Sequence, residues 1–288
     1  MAARRPILSL VAAGMRRGQM IIADTPLVRA VRWKIHRADF AAGRCTDTFS
    51  GRYASFAEAE SAAPPGLIGY NHDAMTGFYQ PDANAPSSHM DANDYAALFW
   101  LQRLLPNARR VFELGGYIGN AYYNYRRYLE YPNGLEWTVC DVPAVVRAGT
   151  ALARREGVTQ LRFTEDQAEA EGADILLAAG SLQYLEEGSL HRLIGTLRAR
   201  PLHVLVQRTP LHPERSFVTL QVMTPPGGPV FCPYTVAARQ RFINDLNALG
   251  YDLVDFWSKQ RELLVPLHPE CRVTSYSGLY FRLTKNVV

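Results

Sequence analysis

The sequence predicts a doubly wound α/β fold, with a mainly parallel sheet covered by helices on both faces, an antiparallel last strand and a helical cap ahead of the core. Three observations predict it. From about residue 110 onward, short apolar runs alternate with helical stretches, the βαβα pattern that produces a parallel sheet. A glycine-rich turn, Gly115-Gly116-Tyr117-Ile118-Gly119, directly follows the first run. Acidic residues stand at the ends of the first three runs: Glu113, then Asp141, then Glu165 with Asp166.

Near the start, the apolar stretch at 6–15 (PILSLVAAGM) follows Arg4 and Arg5 as a secretory core would. Arg16 and Arg17 fall where cleavage would occur, so it reads as an amphipathic helix. Residues 26–38 set Leu27, Val28, Val31, Trp33 and Ile35 among arginines, and 54–62 is rich in alanine and glutamate; both read as helix. Proline, glycine and asparagine then cluster between about 62 and 94, which reads as irregular connection. Residues 1–94 are accordingly expected to form a helical cap or lid, and 95–288 the core.

In the core, Asp91 or Asn93 can cap a helix running to about 105, where Pro106 stops it. Strands are expected at 110–114, 135–141, 161–166, 173–180 and 202–210, with helices at 119–130, 143–157, 185–199 and 236–250. Strands at 251–257 and 276–284 close the chain as an antiparallel hairpin. Ligands of such sheets sit beyond the carboxyl ends of the strands where the winding reverses. The residues that matter should therefore lie just after each strand.

Composition narrows the function. With 48% hydrophobic and 20% charged residues and no apolar run near the ~20 residues that span a bilayer, no membrane role is expected. A net charge of +4 spread over scattered arginines forms no basic patch, which argues against a nucleic-acid partner. Four widely spaced cysteines, 45, 140, 232 and 271, contain no C-x-x-C pair, so no zinc site or disulfide framework is expected and reduced thiols in the cytoplasm are the simpler reading. His72, His89 and His203 are isolated, and no cluster suggests a metal.

The glycine turn does not fit the G-x-G-x-x-G nicotinamide fingerprint. It resembles the acidic-x-Gly loop of class I methyltransferases, and so implies a Rossmann-like fold that binds S-adenosylmethionine (SAM). By that resemblance Glu113, Gly115, Gly116 and Gly119 line the site, the carboxylate holding the ammonium of the methionine part through water or backbone. The middle glycine of the family pattern is Tyr117 here. Asp141 ends the second strand 28 residues after Glu113, where such sheets place an acid that accepts both hydroxyls of a ribose. The stretch from Asp141 and Val142 onward, DVPAVVRAG, resembles that of small-molecule O-methyltransferases. Glu165 and Asp166 stand where the family often places an acid near the adenine amine, although Asp166 reads equally well as a cap.

The fourth strand runs into Gly180-Ser181-Leu182-Gln183-Tyr184, the position at which class I enzymes meet the sulfonium. Gln183, Tyr184 and Tyr117 are the candidate reaction-site residues; aromatic faces attract a cation. Tyr122, Tyr123 and Tyr125 are nearby in sequence, and Tyr125 reads better as core packing. Arg208 in QRTP binds an acidic substrate group or pairs with a neighbouring carboxylate, and Tyr70, Asn71 and Tyr79 can close over the pocket. Together, GRYASFAEAE, GLIGYNHDA, FELGGYIG, GSLQYL and QRTP resemble a bacterial family of methyltransferase-like proteins from polysaccharide and secondary-metabolite clusters. That implies methyl transfer from SAM to a small molecule. The absence of an evident general base leaves open cyclisation of SAM itself to azetidine-2-carboxylic acid with release of methylthioadenosine, as in the azetidine-2-carboxylate synthases, or a non-catalytic SAM- or nucleotide-binding partner. A homodimer is possible in either case.

Overall fold

The structure, a computed structural model, describes residues 26–77, 90–91 and 94–284; the amphipathic stretch at 6–15, Tyr79 and His89 lie outside them. The N-terminal part contains α1 (Pro26–Ala41), β1 (Thr48–Tyr53), α2 (Phe56–Ser61), β2 (Leu67–Ile68) and α3 (Asp73–Thr76). The core follows as α4 (Asp94–Leu104), β3 (Arg110–Leu114), α5 (Asn120–Tyr125), β4 (Glu136–Cys140), α6 (Pro143–Arg155), β5 (Leu161–Thr164), β6 (Ile175–Ala179) and α7 (Ser189–Thr196). It ends with β7 (His203–His212), β8 (Phe217–Met223), β9 (Val230–Ala238), α8 (Arg239–Ala248), β10 (Tyr251–Leu263) and β11 (Val273–Leu283).

Five strands pair in parallel in the order β5-β4-β3-β6-β7. β11 adds antiparallel to β7, and β10 antiparallel to β11. Counting core strands from β3, the order is third, second, first, fourth, fifth, seventh, sixth. The winding therefore reverses between β3 and β6, which puts the ligand crevice at their carboxyl ends. This is the expected doubly wound, Rossmann-like arrangement with its antiparallel strand. Side chains alternate across it as a pleated sheet requires: Val111 of β3 packs with Trp137, Tyr125 and Leu101 on one face, and Phe112 and Leu114 pack with Leu176, Ile194 and Phe281 on the other.

A second sheet branches from the same strand. β7 pairs with β11 through His203, Val204, Leu205, Val206, Thr209 and Pro210, and gives its last two residues, Leu211 and His212, to β9. β9 pairs antiparallel with β8 and β8 with β1, while β2 adds parallel to β9. Nothing was expected between 211 and 235, and the helix expected from 236 begins at Arg239, because Val236–Ala238 still belong to β9. Two features conceal these strands. Pro233 stands inside β9, where proline argues against a strand, and Pro225-Pro226-Gly227-Gly228 reads as loop although it is the turn of the hairpin.

Within the segment expected as a helical cap, Thr48–Tyr53 and Leu67–Ile68 are strands of this same sheet. β1 is a strand because its backbone groups find partners on β8, and α1 and α2 pack behind it through Phe40 and Ala59 against Leu220, Val222 and Phe231.

Candidate active site

A cavity of about 800 Å³ opens at the carboxyl ends of β3, β4 and β6, within the ~300–1,000 Å³ range of small-molecule sites. Its floor is the turn after β3. Gly115 has φ +69°, and a Cβ there would sit 2.3 Å from that of Ser181. A Cβ on Gly116 would fall 2.5 Å from the carboxyl carbon of Glu113, so the bare backbone is what lets this acid and the turn coexist. Tyr117 has a left-handed backbone, φ +56°, unusual for a residue other than glycine. The conformation is held from both ends: its N–H donates to Asp141 Oδ2 at 2.8 Å, and its hydroxyl donates to the carbonyl of Met75 in α3.

Glu113 is 1% exposed and accepts from Trp137 Nε1 at 2.8 Å. Burial pushes its carboxyl up to about 7, against the Trp137 hydrogen bond and nearby Arg208, which both hold it down. Asp141 accepts from two backbone N–H groups, that of Val142 on Oδ1 and that of Tyr117 on Oδ2, and thereby clamps the turns after β3 and β4 together. Burial raises Asp141 to about 6, and those two bonds limit the rise. Each oxygen retains a lone pair for a further donor. Beside it, Asn71 Oδ1 accepts from Ala144 N–H in the first turn of α6 at 3.0 Å, and Arg147 pairs with Asp73 at 3.3 Å. The segment from Tyr70 to Met75 is thus fastened to the turns that carry Asp141 and Tyr117.

At the tip of β6, the Ser181 hydroxyl donates to the Leu114 carbonyl, and Gln183 Nε2 donates to Gly180 O at 2.7 Å. That bond turns Gln183 Oε1 away without a partner, in a residue only 6% exposed. Asn120 Oδ1 and Arg208 Nε, also on the cavity, are buried and lack hydrogen-bond partners as well. Arg208 stands 3.9 Å from buried Asp94, so the neighbouring carboxylate foreseen for it is present while its guanidinium still faces the cavity. Cys140 and Cys232 line the wall too, and burial pushes both thiols up to about 12, which removes them as thiolate nucleophiles near neutrality. Among the described residues no group of three or more His, Cys, Asp or Glu could hold a metal, and no helix is long and apolar enough to cross a membrane.

The remaining wall comes from the second sheet and its neighbours. Tyr184 donates to Gln221 Oε1 at 2.9 Å, Gln221 donates to Asp47 at 2.6 Å, and Asp47 also accepts from Arg261 at 2.9 Å. Arg261 lies 4.8 Å above the Tyr276 ring, and the Tyr276 and Tyr234 hydroxyls are 2.9 Å apart. Tyr70 meets Tyr184 edge-on at 4.7 Å between centroids. Asp47, Tyr117 and Arg208, three of the four non-glycine residues with positive φ among those described, all face this one cavity. Backbone held in that region costs about 1–3 kcal/mol, and such residues gather at functional sites.

Of the residues singled out from sequence, Glu113, Gly115, Gly116, Tyr117, Asp141, Val142, Glu165, Gly180, Ser181, Gln183, Tyr184, Tyr70, Asn71 and Arg208 all line the cavity. Gly119 and Asp166 do not. Gly119 has φ +94° and leads into α5, and Asp166 caps the turn at Gln167–Ala170 by accepting from Ala168 N–H at 2.8 Å, so Gln167 lines the cavity in its stead. Tyr122, Tyr123 and Tyr125 are core residues rather than cation contacts: Tyr125 donates to Asp94 and accepts from Gln207 beneath the site. Sequence reading missed Asn120, Asp47, Gln221, Tyr234, Arg261 and Tyr276. Alternation of polar with apolar residues in β8 was the available signal for Gln221.

No family model matches the sequence, and neither does any curated protein. Among solved structures, the chain is similar to the CcbJ methyltransferase from Streptomyces caelestis, with 14% identity over 74% of this chain and 100% of that one and a TM-score of 0.47. It is also similar to 1,6-didemethyltoxoflavin-N1-methyltransferase from Burkholderia thailandensis (15% identity, 68% and 80% covered, TM-score 0.44). A third likeness is to magnesium protoporphyrin IX methyltransferase from Synechocystis PCC 6803 (12% identity, 75% and 93% covered, TM-score 0.48). What the cavity does is read from its own residues.

Proposed function

We propose that this chain is a SAM-dependent enzyme that transfers a methyl group to a small molecule. The observation that carries the reading is the convergence, on one cavity at the point where the winding reverses, of the glycine turn, Glu113, Asp141 and the tip of β6. The residues present fit SAM. Gly115 and Gly116 leave the turn bare, and the amide of Asn120 and the guanidinium of Arg208, both residues lining the cavity, match the ammonium and carboxylate of an amino acid.

When bound, SAM supplies a methyl group made electrophilic by its sulfonium. Asp141 would accept from the ribose hydroxyls, with Val142 and Glu165 toward the adenine. Glu113, ionised once an ammonium is near, and Asn120 would hold the amino group, while Arg208 takes a carboxylate. Tyr117 and Tyr184 offer ring faces to a cation. With the electrophile already activated, alignment and exclusion of water are the main demands, and Tyr70 and Asn71 meet the second by covering the turns. The biosynthetic setting, natural product or polysaccharide, rests on the motif resemblance alone.

Cyclisation of SAM would suit a pocket closed tightly around one ligand. A cavity of about 800 Å³ that continues past Tyr184 to a second wall favours transfer to a separate acceptor. Incubating purified protein with SAM and resolving products by mass spectrometry tests this. SAM alone should persist, and S-adenosylhomocysteine (SAH) should accumulate only once an acceptor is added. Methylthioadenosine with a four-membered-ring amino acid would establish cyclisation instead, and tight binding without turnover of any acceptor would leave a binder.

A further inference from the structure

We propose that the half of the cavity walled by β8–β11 is an acceptor site for an uncharged aromatic ring. The proposal rests on the reading of the other half as a cofactor site, and it goes further by naming what the enzyme acts on.

Six side chains make up this wall as a closed circuit. Tyr184 is bonded to Gln221, Gln221 to Asp47 and Asp47 to Arg261; Arg261 lies over Tyr276, Tyr276 meets Tyr234 hydroxyl to hydroxyl, and Tyr234 returns to Tyr184 edge-on at 5.3 Å. They come from six separate places in the chain, and Asp47 holds a left-handed backbone, φ +58°, to take part. A polar network kept whole inside a protein wall fixes donors and acceptors in place.

Its chemistry specifies the ligand. The negative charge of Asp47 and the positive charge of Arg261 are 2.9 Å apart and cancel, so the wall presents dipoles rather than a net charge. Glu60 of α2, which also lines the cavity, disfavours an anion further. Tyr70 and Tyr234 each meet Tyr184 edge to face, an arrangement that a flat ring extends at similar spacing and a saturated ring does not.

The test uses the full chain saturated with SAH and four probes: 4-hydroxybenzyl alcohol, 4-hydroxybenzoate, 4-hydroxybenzylamine and the saturated 4-(hydroxymethyl)cyclohexanol. Saturation-transfer NMR titrations measure their affinities, and calorimetry measures that of SAH. The neutral arene should bind at least fivefold more tightly than each of the other three. Tyr276→Phe and Arg261→Met should each weaken it at least fivefold, with SAH affinity kept within twofold as the sign that the fold is intact. A charged or saturated probe binding as well as the neutral arene would overturn the proposal, as would variants that bind the arene like wild type while SAH still binds. Failure of the wild-type protein to bind SAH would overturn the cofactor reading, and the acceptor site with it.

Discussion

Asp141 and Glu113 are both buried acids, but their partners give them different tasks. Asp141 spends one lone pair of each oxygen on the backbone and keeps the others for a ligand, so its loss should be felt in both the turn and the affinity. Asp141→Ala is expected to weaken SAH binding about 10- to 100-fold by calorimetry, the scale of one or two hydrogen bonds to a charged group. Unchanged affinity would remove the ribose assignment. Glu113 titrates near neutrality. The folded carboxyl keeps its proton up to about pH 7, whereas the unfolded one loses it near 4.5, so between those values the folded state holds the extra proton. Stability should therefore fall as pH rises from 4.5 to 7 and level off above, by about 3 kcal/mol at most. Affinity for SAM runs the other way, weakening as pH drops below 7 and the carboxyl becomes neutral. Denaturant melts and calorimetry across this range should show both slopes, and Glu113→Gln should abolish the stability slope between about pH 6 and 7, the part below 6 being shared with Asp141. At this scale the cofactor half was readable because its residues lie in short local motifs. Arg261 was not, since nothing local in its strand indicates that it meets Asp47, 214 positions earlier.

Elements were legible where period and punctuation agreed. α6 begins at Pro143 and carries an apolar face through Val145, Leu152 and Ala153, so its limits could be read almost to the residue. α5 stops at Tyr125 rather than 130, and β10 runs on to Leu263 rather than 257, because pairing with β11 supports residues whose own composition, Ser258-Lys259-Gln260-Arg261, looks like loop. β8 and β9 were lost to prolines that the sheet tolerates. These strands carry real packing: Phe231 is fully buried, and its ring lies 5.5 Å from that of Phe40. Phe231→Ala should cost about 3–5 kcal/mol in denaturant unfolding, as truncation of a buried aromatic does. A cost near zero would mean that the second sheet is not part of the cooperative unit.

For the whole molecule, the doubly wound architecture followed from alternation alone, but its branching did not, since a strand that belongs to two sheets leaves no periodic trace. The branch gives the cavity its second wall and joins residues 26–77 to the core. Asn71 measures that union. Asn71→Ala removes one hydrogen bond to Ala144 N–H and is expected to cost about 1 kcal/mol of stability, and to raise SAH dissociation rates in stopped-flow displacement by roughly five- to tenfold. An off-rate equal to wild type would mean that this segment does not restrain the cofactor.

The pairing of Thr48 with Val222 also has a consequence in time. During synthesis β1 emerges early and must wait for some 170 further residues before its partner exists, and contacts that distant in sequence form slowly. The parallel strands from β3 to β7 can assemble first. In refolding, competence to bind nucleoside should therefore return before the wall containing Asp47 is complete, with β1 among the last elements to settle.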